Sequence, residues 1–213
     1  MRHHLVYLPA MMLLMGVLLP GQVVPGPVIL PDAVIHRQYS FQLPASDGTF
    51  PWNWRLLQGS LPAGLSLSPD GTISGAPSVT GMFRIQVEGT DSSTPHRRIV
   101  PQIEIRVYPA LAIQWHQEPT LQPDRLFGGV EVTSHIDAAV DLTVIVVAVN
   151  EIGKAFALGY QHFPFRRGSL VIPFESSLPS GNYLVHADAV GEDENSGAIY
   201  RTRLQTQSPL VVP

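Results

Sequence analysis

Cysteine is absent from this chain of 213 residues. Disulfides, thiolate metal sites, cysteine nucleophiles and a lipidated cysteine anchor are therefore all excluded. Charge is also scarce. Asp, Glu, Lys and Arg make up 14% of the chain, and the formal net charge is -4. So small a balance gives no basic stripe for nucleic acid and no special affinity for a membrane surface. Neither a Walker loop nor a dinucleotide fingerprint occurs. The eight histidines, at positions 3, 4, 36, 96, 116, 135, 162 and 186, show neither H-x-x-x-H nor H-x-H spacing, so a zinc site has no support.

The hydrophobic content is 45%, with Gly 18 and Pro 20. Such a chain buries a core, and frequent Gly and Pro among Val, Ile and Thr favour short strands and turns over long helices. The length allows one large domain or two small ones. Without disulfides, each must hold together by packing, which domains of about 100 residues can do.

Met1-Arg2-His3-His4 is a short basic start, and Leu5 to Leu19 is apolar. This pattern fits a secretory signal over residues 1–27, with cleavage after Gly21 or Gly26. The alternative is an uncleaved N-terminal anchor, since apolar residues continue to Leu30. Pro20, Pro25, Pro27 and Pro31 argue against a helix beyond Leu19. Export to the periplasm, cell surface or medium is expected.

Residues 28–108 read as a first β-sandwich. Tyr39, Phe41 and Leu43 alternate with polar residues, as do Trp52, Trp54 and Leu56. Leu61, Leu65 and Leu67 are apolar anchors; Pro62 fixes the backbone entering a turn, and Gly64 suits a positive φ. Pro69-Asp70-Gly71 predicts a type I turn with Gly at its last position. A very short strand, Thr72-Ile73-Ser74, ends at Gly75 and Pro77. Gly81 opens a strand in which Phe83, Ile85 and Val87 alternate with polar residues up to Asp91, and Ile103, Ile105 and Val107 alternate in the next.

The run Leu61-Pro62-Ala63-Gly64-Leu65, then Gly71-Thr72-Ile73-Ser74-Gly75-Ala76-Pro77, then Gly81 and a strand ending Gly89-Thr90-Asp91, resembles the Ig-like, cadherin-like modules of bacterial surface proteins. The resemblance implies an antiparallel sandwich over 28–108. It implies little about function, because the module is a building block with many roles.

Residues 110–213 read as a second Ig-like sandwich. Leu111, Ile113 and Trp115 alternate, as do Val130 and Val132 with their polar neighbours. Leu142 to Val149 is apolar on both faces, which predicts a central strand or one covered by the other domain. Tyr183, Val185, Ala187 and Ala189 fall on one face, and Leu178 to Val185 resembles the tyrosine corner of Ig-like domains, with Tyr183 as its tyrosine. Residues 192–197 read as a polar hairpin tip. The fold class is therefore all-β: two Ig-like sandwiches in tandem behind an apolar segment.

No catalytic residue and no cofactor emerges. Gly71 to Gly75 has the glycine spacing of a nucleophile elbow, but its central residue is Ile73. For calcium, the candidate oxygen ligands are Asp91, Asp188, Glu192, Asp193 and Glu194, although none has calcium-loop spacing. Trp52, Trp54, Trp115 and Tyr108 are candidates for a sugar-stacking platform, against the reading that Trp52 and Trp54 are core and Trp115 packs near the domain junction. The expected function is a non-catalytic binding or structural module of the envelope with a protein partner. The alternatives are a carbohydrate-binding accessory module for a polysaccharide and a calcium-dependent adhesion domain.

Overall fold

The computed structural model describes residues 27–45, 47–122 and 125–213. The signal or anchor expected over 1–27 lies, Pro27 apart, outside them. Seventeen strands and no helix are formed by the described residues.

Nine strands build the first sandwich: β1 (Val28–Ile29), β2 (Ala33–Val34), β3 (Tyr39–Gln42), β4 (Asn53–Gln58), β5 (Leu65–Leu67), β6 (Thr72–Gly75), β7 (Gly81–Thr90), β8 (Arg98–Ile99) and β9 (Gln102–Tyr108). One sheet has the order β1-β9-β7-β4, with β2 also on β9 and β8 on β7; the facing sheet is β3-β6-β5. β1 and β2 run parallel to β9. These two-residue strands are too short to show a period, so alternation does not reveal them. Trp52, Trp54, Ile73, Val87 and Ile105 fill the space between the sheets, and the last three have 0% exposure.

The glycine motif is a backbone crossing. Gly64 has φ +93° and Gly75 has φ +133°. A Cβ on Gly64 would sit 2.1 Å from the Ala76 carbonyl oxygen, and one on Gly75 would sit 2.1 Å from the Gly64 oxygen. The Leu61–Leu65 and Gly75–Pro77 stretches thus touch main chain to main chain. Ser78 N–H donates to the Ala63 oxygen at 2.8 Å beside this contact. The Ser68–Gly71 turn forms as expected, with Gly71 N–H donating to the Ser68 oxygen at 2.9 Å. Gly71 also leaves room for the indole of Trp54, whose Cδ1 would be 2.6 Å from an added Cβ.

Eight strands build the second sandwich: β10 (Leu111–Gln122), β11 (Arg125–Ser134), β12 (Val140–Asn150), β13 (Ala155–Phe165), β14 (Gly168–Ser177), β15 (Gly181–Asp193), β16 (Ile199–Gln205) and β17 (Leu210–Val212). The sheet β10-β11-β14 faces β13-β12-β15-β16, and β17 continues the edge along β15. The tyrosine corner is present: Tyr183 is 1% exposed, and its hydroxyl donates to the Pro179 oxygen at 2.9 Å. β12 is central, as expected, but only one of its faces is buried. Ile145 on the other face is 37% exposed, and the first sandwich does not cover it. Trp115 packs in the second core, tilted against Phe174, and does not lie at the junction.

The junction has its own small core, in which Ala110, Ile136 and Val140 are buried against Val34, Phe165 and Tyr200. Tyr108 stacks on His135 with ring centroids 4.5 Å apart. Arg37, just after β2, donates from Nη1 to Asp193 Oδ2, and that nitrogen lies 3.4 Å from the Tyr200 hydroxyl. Asp193 also accepts from the backbone N–H groups of Asn195, at 2.9 Å, and Ser196, at 3.3 Å. The expected solvated hairpin tip is thus corrected at this residue: Asp193 has 0% exposure, because its carboxylate turns inward to meet a guanidinium from the other sandwich.

Two expectations follow from this architecture. Gly64→Val or Gly75→Val should destabilise the protein by about 1–3 kcal/mol, since a β-branched residue is strained at positive φ and meets a carbonyl oxygen. Thermal or urea unfolding measures it, and an unchanged midpoint at both sites contradicts the crossing. Arg37→Ala should cost about 1–2 kcal/mol, because the buried Asp193 keeps only its backbone donors while the partly exposed Arg37 is discounted for solvent screening. Calorimetry should then separate the transitions of the two sandwiches more widely than in the wild type.

Candidate functional site

The candidate calcium ligands do not converge. Asp91 lies in the first sandwich at the end of β7, and its carboxylate is filled by protein donors. It accepts from the backbone N–H groups of Thr49 at 3.0 Å and Arg97 at 2.7 Å, and from the Ser93 hydroxyl at 2.6 Å. The Ser93 hydroxyl and these amides hold its pKa well below the usual carboxylate range, against the opposing effect of burial. Asp188 pairs with Arg203 Nε at 2.6 Å, and Asp193 with Arg37. Glu192 and Glu194 are exposed. No group of three or more His, Asp or Glu side chains suited to a metal ion occurs among the described residues.

Nor do the aromatic candidates form a platform. Trp52 and Trp54 are 5% and 4% exposed, stacked on each other inside the first core. Tyr108 is taken up by His135 at the junction.

One arrangement escaped the spacing test because its members meet only through strand register. Thr143 Oγ1 lies 2.9 Å from His162 Nδ1, and Asp141 Oδ1 lies 3.2 Å from His162 Nε2. The order hydroxyl–imidazole–carboxylate is that of a nucleophilic relay. Here it stands on an open sheet face, with the His162 and Asp141 side chains 49% and 46% exposed, where water screens every charge.

Two other carboxylates are buried in the outer face of the β1-β9-β7-β4 sheet. Glu88 is held by Arg55, with Oε1 2.9 Å from Nη2, and by Arg98, with Oε2 2.5 Å from Nη2. Glu104 is held by Arg106 at 2.9 Å and Arg84 at 3.0 Å. The Arg55 guanidinium chiefly lowers the pKa of Glu88, and those of Arg106 and Arg84 lower that of Glu104.

What remains unengaged is an edge. β13 ends its sheet, hydrogen-bonded to β12 on one side only. Its sequence, AFALGYQHFPF, contains no Asp, Glu, Lys or Arg. Tyr160, Gln161 and His162 are exposed in succession, so both faces of the strand are open at its centre. Tyr160 is 65% exposed and stands in register with Ile145 on the outer face. The other long edges differ: β10 carries Glu118 and Pro119, β14 carries Pro173 and Glu175, β16 carries Arg201 and Arg203, and β4 carries Arg55, while the uncharged edges β3 and β5 are only four and three residues long. Charge and proline are the usual means of blunting an edge, and β13 has only Pro164 near its end and an irregularity at Val146/Val147 opposite it.

Residues 22–104 match the family described as "Putative Ig domain". The first sandwich is similar to that family. No curated protein matches the chain. Among solved structures, a protein described as a putative alpha-galactosidase from Bacteroides fragilis is 26% identical over 38% of this chain and 16% of that one, with a TM-score of 0.33. This chain therefore spans a small part of that protein's length. A protein described as a putative carbohydrate binding protein from Bacteroides uniformis is 11% identical over 88% of this chain and 99% of that one, with a TM-score of 0.35. The N-terminal eight Ig domains of Down Syndrome Cell Adhesion Molecule are 15% identical over 87% of this chain and 27% of that one, with a TM-score of 0.33. Likenesses of this size carry nothing about what this chain binds.

Two measurements test the carboxylates. Added calcium should leave the melting temperature where a chelator leaves it; a rise contradicts the assignment of Asp91 and Asp193 to protein donors. Asp91, Asp193, Glu88 and Glu104 all have pKa values lowered by folding. Their contribution is complete above the unfolded carboxylate pKa of about 4 and is lost as pH falls through the lower folded values. Melting temperature should therefore drop on acidification below about pH 4, and Asp193→Asn should flatten that drop.

Proposed function

We propose that this chain is an exported, non-catalytic binding module of the cell envelope that takes up a protein partner by strand addition at β13. The observation that carries the reading is the uncharged, eleven-residue edge itself. Its outward backbone N–H and C=O groups have no strand beside them, and an extended segment placed there gains main-chain hydrogen bonds. Alternate side chains supply selectivity: Tyr160 and His162 present one face, Gln161 and Phe163 the other.

The remainder of the molecule supports a scaffold role. Asp91, Asp193, Glu88 and Glu104 are the buried acids, and each is occupied by protein donors. The Arg37–Asp193 pair and the junction core hold the two sandwiches against each other, so a partner meets a fixed surface. The apolar stretch Leu5 to Leu19 supports export.

The test is hydrogen exchange on the full chain, free and in complex with a protein captured from envelope extract. Amides of residues 155–165 should slow in the complex. Replacing Tyr160 and His162 by Lys should abolish capture, since charge on an edge opposes pairing. A complex that leaves β13 exchange unchanged overturns the reading.

A further inference from the structure

We infer that the outer face of the β1-β9-β7-β4 sheet binds an acidic polysaccharide, gripping its carboxylates with two pairs of arginines on either side of a glutamine row. This surface lies on the first sandwich and is independent of β13.

The register places the groups. Arg55 on β4 stands opposite Glu88 on β7, and Arg84 on β7 stands opposite Glu104 on β9. Between them, Gln58, Gln86 and Gln102 line up across β4, β7 and β9. Glu88 and Arg84 are four residues apart on one strand, which is roughly 13 Å. One carboxylate cannot bridge that distance, so a ligand using both ends must carry acidic groups at intervals.

The charge is favourable. Four guanidinium groups against two carboxylates leave this face positive by two, on a chain whose formal net charge is -4. The arginines are also pre-oriented. Arg55 gives Nε and Nη2 to Glu88, which leaves its Nη1 for a ligand; Arg106 gives the same two nitrogens to Glu104 and is also engaged by Tyr108. Arg84 gives only Nε, so both of its terminal nitrogens are available. The side chains of Arg55, Arg84 and Arg98 are 67%, 73% and 60% exposed, while Glu88 and Glu104 beneath them are 7% and 5% exposed. Buried carboxylates thus fix forks whose free edges point outward, the geometry that suits a carboxylate ligand.

The glutamines separate a glycan from other polyanions. Gln58, Gln86 and Gln102, with Gly59 and Arg84, border a recess of about 440 Å³. Their amides both donate and accept, as sugar hydroxyls require. No aromatic side chain occupies the rows between the arginine pairs, so this face has no platform on which a nucleic-acid base could stack.

The experiment titrates the full chain with polygalacturonate, with neutral dextran and duplex DNA as comparisons. Polygalacturonate should bind saturably and more weakly as salt rises, and dextran should not bind. Arg84→Gln with Arg98→Gln should reduce affinity about tenfold. Gln58→Glu breaks no ion pair, adds a repelling charge at the β4 end of the glutamine row and should weaken binding to a similar extent; it decides the matter if the arginine variant fails to fold. Arg201→Gln on the other sandwich should change nothing. Absent polygalacturonate binding, equal binding of dextran, tighter binding of DNA, or indifference to Gln58→Glu overturns the inference. None of these outcomes bears on β13 and its protein partner.

Discussion

A carboxylate removed from water must be satisfied where it sits, and Asp193 is the point at which this requirement organises the molecule. It has 0% exposure, two backbone donors from its own turn and a guanidinium from the other sandwich. Left with the backbone donors alone, the charge would be poorly compensated. Arg37 completes it, and so ties the turn after β2 to the end of β15. In a chain without cysteine, this ion pair and the small apolar core around Ile136 and Val140 do the joining that a covalent link does elsewhere.

The same requirement recurs in the first sandwich with a different solution. Asp91 is satisfied locally, by amides and a hydroxyl within a few residues and by the Thr49 amide across the loop. Glu88 and Glu104 are satisfied across strands by arginines. Asp91 and Asp193, two of the five candidate calcium ligands, are therefore structural hubs. Backbone remains unspent at the β13 edge and donors on the arginine face, and it is there that recognition is proposed.

Local chemistry was legible in the sequence and long-range pairing was not. The Leu61–Asp91 motif could be read because turn geometry depends on neighbours: Gly64, Gly71 and Gly75 each answer to contacts within the motif or to one packed indole. Tyr183 could be read for a similar reason, since its hydroxyl reaches back only four residues. Asp193 could not, because Arg37 is 156 positions away and nothing near either residue announces the other. The arginine face was visible only as alternation; which arginine meets which glutamate is set by register, which a single strand does not encode. β12 misled because an apolar run broken only by Thr143 reads as two buried faces, whereas one of them is open.

The direction of β1 and β2 has a mechanical consequence. Both run parallel to β9, with Val28 opposite Ile103 and Val34 opposite Tyr108. Tension drawing the chain outward ahead of Val28, while β9 is held through the junction, would slide these strands lengthwise past each other. The Leu30–Glu104 and Ile35–Tyr108 hydrogen bonds would then bear load together with the ladder, instead of opening one at a time as a zipper does. A sandwich strung this way resists pulling along its length better than peeling from its edge, and the same residues that seem too short to be strands would set its breaking force.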